Sequence, residues 1–122
     1  MITGNGIDIV EIERIEAALT RRPQLLLRIF TENEQKYIKK RGQNPATIAG
    51  CFAAKEATIK AAGGGFIKDV EISHDKNGKP SVKLKGREDL QFAVSITHCK
   101  KYAAASVIAM EKTPVKKEKG DN

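Results

Sequence analysis

The sequence has 122 residues, of which 30% are charged, 40% hydrophobic and 5% aromatic; that balance excludes disorder over the whole length and fits one globular domain. Lys and Arg number 22 against 15 acidic residues, a formal charge of +7, which points to an anionic partner or substrate without naming it. Two cysteines, Cys51 and Cys99, stand in no CxxC spacing, which excludes a cysteine zinc site or disulfide scaffold and fits free thiols in a reducing compartment.

Residues 2–10 have glycine-punctuated strand character, ending in Gly6-Ile7-Asp8-Ile9-Val10. Ile9, Ile12, Ile15 and Leu19 then follow helical spacing, so the change of period predicts a helix from Ile9. A second apolar stretch, Leu25 to Phe30, follows Pro23, a good early-helix residue. Thr31-Glu32-Asn33-Glu34 has the form of a capping box, and the helix it opens should end near Arg41-Gly42. Asn44-Pro45 starts the next helix, which runs to Ala62 and is stopped by Gly63-Gly64-Gly65.

From there the period is two. Val70 and Ile72, an Asn77-Gly78 turn, then Val82 and Leu84 predict a hairpin. Phe92–His98 and Tyr102–Met110 predict two more strands, and Lys112–Asn122 a lysine-rich, frayed tail. A strand, then helices, then strands predicts an α+β fold with an antiparallel sheet packed against helices. The expected organisation is one domain over residues 1–111 with a basic tail over residues 112–122. No basic segment precedes an apolar stretch at the start, and no apolar run nears the roughly 18–20 residues that span a bilayer. A cytoplasmic protein with no membrane partner is therefore expected.

Four features ask for more than a structural reading. Asp8 sits between two isoleucines in a strand, where Asp is disfavoured; alternation places it on the face opposite Ile7 and Ile9. It suits an exposed edge, a helix cap or a functional carboxylate. Glu56 borders the apolar stripe Ile48, Phe52, Ile59, and its alternatives are an exposed pair with Lys60 at i,i+4 or a functional carboxylate. Lys55 also falls close to that stripe, and the many alanines of this helix keep it slim enough for a backbone or ligand to come near. Three consecutive glycines exceed what one helix cap needs, and their bare amides suit either a loose turn or a phosphate. His98, at a strand end beside Lys100 and Lys101, is either merely exposed or a phosphate contact. His74 is given no role. Two carboxylates without His or Cys partners suit a hard cation such as Mg²⁺, which is often held by one or two carboxylates plus substrate phosphates. The chemistry such a set supports is metal-assisted transfer of a phosphate-linked group, with a lysine stabilising the leaving phosphate.

Gly6-Ile7-Asp8-Ile9-Val10-Glu11-Ile12-Glu13-Arg14-Ile15 resembles the opening motif of the holo-acyl-carrier-protein synthases. Phe52-Ala53-Ala54-Lys55-Glu56-Ala57 with Lys60-Ala61 looks like their central helix motif; Asn77-Gly78-Lys79-Pro80 and Val94-Ser95-Ile96-Thr97-His98 resemble their hairpin and late-strand motifs. The four stand in register from residue 4 to about residue 110. The resemblance implies the 4′-phosphopantetheinyl transferase fold and an enzyme that moves the 4′-phosphopantetheine arm of coenzyme A onto a serine of apo acyl carrier protein, releasing adenosine 3′,5′-bisphosphate, in support of fatty acid biosynthesis. It implies Mg²⁺ on Asp8 and Glu56, Lys60 on a coenzyme A phosphate and in catalysis, His98 near the phosphates, Pro80 near the adenine, and a homotrimer with active sites at its interfaces. Glu56 or a water would take the serine proton.

The family often carries Arg before Phe52, where this chain has Cys51; Lys39, Lys40 and Arg41 are the cations at hand to replace it. The charge then divides into Lys60 and Lys55 for the coenzyme A phosphates, Arg14, Arg21, Arg22 and Arg28 for an acidic carrier protein, and Lys112, Lys116, Lys117 and Lys119 in the tail. A nucleic-acid-binding protein fits the charge but not the scarce aromatics, so no nucleic-acid partner is expected. A non-catalytic coenzyme A-binding domain is the remaining alternative.

Overall fold

The computed structural model describes residues 1–113; the expected tail from Pro114 on, with Lys116, Lys117 and Lys119, lies outside the described residues. Period-two alternation carries strand β1 from Ile2 to Glu11, after which the chain turns into α1 (Ile12–Arg21) and a short α2 (Leu25–Ile29). Next come α3 (Glu32–Lys40), α4 (Pro45–Ala62) and a single 3₁₀ turn at Ile67–Asp69. The strands β2 (Val70–His74), β3 (Pro80–Leu84), β4 (Leu90–His98) and β5 (Tyr102–Glu111) complete the order. The fold is α+β, with a three-stranded antiparallel sheet in the order β1-β5-β4 and a separate β2-β3 hairpin.

The local signals act as their chemistry requires. Thr31 caps α3 by accepting from the Glu34 amide at 3.2 Å, while the Glu34 carboxylate accepts from the Thr31 amide at 2.9 Å. Asn44 caps α4 through the Ala46 amide at 2.9 Å, Pro45 sits in its first turn, and Gly63 closes it in the left-handed conformation, φ 82°. In the hairpin turn the Asp75 carboxylate accepts from the amides of Asn77 and Lys79.

The expected helix start at Ile9 is corrected: Ile9 belongs to β1, and α1 begins at Ile12. Spacing of three separates Ile9 from Ile12 in either reading, but the ladder of β1 with β5 continues to Glu11 opposite Tyr102 and holds Ile9 extended.

Helix α4 lies across the three-stranded sheet and forms the centre of the core. Its buried residues are mostly small: Ala49, Gly50, Ala53, Ala54, Ala57 and Ala61. That slimness lets backbone meet backbone. A Cβ at Gly4 would lie 2.1 Å from the Ala61 carbonyl oxygen, and one at Gly6 would lie 2.0 Å from that of Ala57. At the opposite edge, Gly50 faces the side chain of Ile96 in β4. The Gly-to-Ala contacts fix how β1 runs along α4, and with it the place of Asp8.

Candidate active site

Two strand residues advance about 6.6 Å and four helical residues about 6 Å. Gly4 lies on Ala61 and Gly6 on Ala57, so the next step brings Asp8 level with Ala53 and with the helical turn that carries Glu56. Asp8 points at α4 while Ile7 and Ile9 face outward at 70% and 65% exposure. It caps no helix: the residue before α1 is Glu11, with no side-chain cap bond. Lys60, whose side chain runs back toward the start of its helix, meets Asp8 Oδ1 at 3.1 Å and the Ile7 carbonyl at 3.0 Å. The expected alternative of a Glu56–Lys60 pair is not formed, because Lys60 is taken by Asp8.

Asp8 Oδ2 is buried and has no hydrogen-bond partner. A carboxylate oxygen out of water without a partner is costly; the other oxygen of this group carries the Lys60 ammonium, and the helical turn level with it carries Glu56. The donor set is all oxygen, and among the described residues no group of three or more His, Cys, Asp or Glu forms a metal cluster. Two carboxylates of this kind fit Mg²⁺ shared with substrate phosphates and do not fit zinc.

His98 and Pro80 meet in a cleft of about 420 Å³ between the β2-β3 hairpin, α3, the first half of α4 and β4. Tyr37, Arg41, Cys51 and His74 also line it. Of the three cations considered as substitutes for the missing Arg, only Arg41 lines this cleft. His74, to which the sequence alone assigns no role, also faces the cleft. Its ring stacks on Tyr37 with centroids 3.9 Å apart and planes within 3°, and Arg41 sits over the other ring at 5.7 Å. Burial, and then the nearby Arg41 charge, hold its pKa below the ordinary 6.5 against the opposing pull of Asp75. Alternation in β2 carried the signal, since Val70 and Ile72 face inward and His74 is next in that row.

Lys55 is corrected. It is fully buried and ion-paired with Glu34 at 2.6 Å, so it cannot reach a phosphate. Residue 55 faces α3 and β2 rather than the edge where Glu56 and Lys60 emerge. Cys51 is buried too, and burial pushes its thiol well above the ordinary range. Cys99 is exposed, and backbone amides of the β4–β5 turn lower its thiol. The glycine run borders a shallow recess beside Lys85 and Arg87, away from the residues gathered above. Arg14, Arg21, Arg22 and Arg28 are all exposed on or beside α1 and α2, and none forms an ion pair among the described residues.

The candidate residues thus gather in two separate places: Asp8 and Lys60, with the turn that carries Glu56, where α4 meets β1, and His98 with Pro80 in the cleft beside β4. The chain is 45% identical over 114 residues to a holo-[acyl-carrier-protein] synthase of Oceanobacillus iheyensis, covering 88% of this chain and 96% of that one. It is 44% identical to one of Alkaliphilus metalliredigens, covering 89% and 99%. Among solved structures it is similar to a holo-(acyl-carrier-protein) synthase of Bacillus anthracis in complex with CoA (3′,5′-ADP), with a TM-score of 0.80, 37% identity and coverage of 92% and 99%. A Helicobacter pylori holo-[acyl-carrier-protein] synthase in complex with coenzyme A gives 0.79, 31%, 87% and 99%. Residues 4–107 match the sequence profile of the 4′-phosphopantetheinyl transferase superfamily, and the chain belongs to that superfamily.

Proposed function

We propose that this chain is a holo-[acyl-carrier-protein] synthase that transfers 4′-phosphopantetheine from coenzyme A to a serine of apo acyl carrier protein, supporting fatty acid biosynthesis. The observation that carries this beyond kinship is the unpartnered, buried oxygen of Asp8, whose other oxygen is held by Lys60. Asp8 and Glu56 would hold Mg²⁺, which when bound neutralises charge on the pyrophosphate of coenzyme A. The carrier serine oxygen forms a new bond to the β-phosphorus of coenzyme A, and the bond from that phosphorus to the bridging oxygen breaks. Adenosine 3′,5′-bisphosphate leaves with the bonding pair. Glu56 or a water would accept the serine proton. Lys60 exchanges its contact with Asp8 for the charge developing on the leaving phosphate. His98 and Pro80 line the cleft for the nucleotide end, and Arg41 supplies the cation that Cys51 does not.

The two separate places in one chain support assembly into a homotrimer that joins them across subunits. Ile2, Ile7 and Ile9 of β1 and Tyr102 and Ile108 of β5 lie exposed on the outer face of the sheet, at 40–70%, which suits burial against further copies of the chain. Arg14, Arg21, Arg22 and Arg28 offer a basic surface to an acidic carrier protein. Among the described residues no helix is long and apolar enough to cross a membrane, and free Cys99 fits a reducing cytoplasm. Incubating the chain with coenzyme A, Mg²⁺ and apo acyl carrier protein should raise the carrier mass by one phosphopantetheine, and EDTA should prevent it. A carrier of unchanged mass, with coenzyme A bound, would leave a binding domain only.

A further inference from the structure

A lysine with 0% of its side chain exposed and a glutamate with 1% are an expensive way to fill a core. Two apolar residues of similar volume would do so at less cost, so the pair needs a local reason. Glu34 also accepts from the Ile72 amide at 2.7 Å, and Lys55 donates to the Val70 carbonyl as well. Those two main-chain groups lie on the free edge of the hairpin. In an antiparallel ladder, alternate residues turn their amide and carbonyl to opposite sides. Asp69 bonds Lys85 on the β3 side, so the odd residues of β2 serve β3, and Val70 and Ile72 point away from it. The carboxylate and the ammonium occupy the place of a neighbouring strand, one accepting and one donating.

Each element fastened in this way gives the cleft a wall. Cys51 lies one turn before Lys55 on α4, Tyr37 lies three residues after Glu34 on α3, and His74 lies two residues after Ile72 on β2. We propose that Lys55 and Glu34 form a positioning pair for coenzyme A, replacing the absent strand at the free edge of β2 and so holding α3, α4 and the hairpin at the spacing that shapes the His98–Pro80 cleft. This rests on the assignment of that cleft to coenzyme A. The pair touches no substrate and acts through the walls it ties together. A support that loosens by about 1 Å can cost up to about a hundredfold in activity.

The test is the near-isosteric, uncharged double variant Lys55→Met/Glu34→Gln, assayed well below its melting temperature. The KM for coenzyme A should rise about tenfold, while that for the carrier protein stays within twofold. A general loss of stability would lower the active fraction and move neither KM. Values for both substrates within twofold of the parent, or an equal rise in both, would overturn the proposal. A second measurement needs no variant. In the unaltered chain the Ile72 amide should exchange with solvent as slowly as amides inside the β1-β5 ladder, and exchange at the rate of an open strand edge would equally overturn it. An unaltered chain that modifies no carrier protein defeats the functional assignment instead, and the exchange measurement still reads the edge.

Discussion

At the residue scale, Asp8 and Lys60 show how an aspartate disfavoured in a strand on propensity is accommodated. The strand gives Asp8 its direction, and the helix gives it a partner for one oxygen and none for the other. Removing this carboxylate should hurt chemistry and spare the fold, since no buried charge is left behind: Lys60 is 56% exposed. Asp8→Ala and Glu56→Ala should each lower Mg²⁺-dependent transfer by about 10²–10³-fold with unchanged unfolding midpoints. Transfer at the parent rate in either would remove the metal assignment. His74 gives a pH dependence of definite sign. Its folded pKa lies below its ordinary 6.5, so as pH falls through that value the unfolded chain takes a proton that the native chain refuses. Stability is then present above about pH 6.5 and lost as pH falls toward the folded pKa. Urea midpoints at pH 7 and pH 5 should differ less for His74→Asn than for the parent, and equal differences would show that His74 does not titrate in this way.

At the scale of elements, the meeting of β1 and α4 organises the site. A helix rich in alanine has little apolar side-chain surface to bury, and it compensates by letting a glycine strand approach to backbone contact. Gly6→Ala should therefore cost about 3 kcal/mol, read as a lowered urea midpoint, because its Cβ meets a carbonyl oxygen of a helix that cannot yield locally. A loss under about 0.5 kcal/mol would mean that the strand can stand off from the helix. The capping box was legible in the sequence because its bonds join residues three apart. That Glu34 also serves Lys55 and the edge of β2 was not legible, since those partners lie 21 and 38 residues away.

At the scale of the molecule, the +7 separates by surface. Arg14 and Arg21 lie on or at the end of α1, exposed and unpaired among the described residues. Reversing either to Glu should raise the KM for the carrier protein several-fold and leave that for coenzyme A nearly unchanged. Equal effects on both would place the carrier elsewhere. The outer face of the sheet makes a separate prediction for the proposed assembly. Ile7→Asp/Ile9→Asp should sediment as a monomer and lose transfer, and a trimer that persists would move the interface off this face. A larger groove of about 780 Å³ lies between β3, β4 and the 3₁₀ turn, and Asp8, Glu56, His74 and His98 are not among the residues that line it.

By itself the sequence determined the α+β order, the caps and turns, the four motifs in register and the carboxylates, because each depends on neighbours a few residues apart or on residue type at fixed spacing. The tertiary structure alone decided which side of each element faces inward. Lys55 and Glu56 are adjacent on one helix, and the 100° between them makes one a buried strut and leaves the other at the candidate metal site. It also decided that His74 joins His98 and Pro80 in one cleft, and that this cleft lies apart from Asp8 and Lys60. The physical reason is common to all of these: the direction of a side chain is set locally, but what it meets is set by packing between segments far apart in sequence.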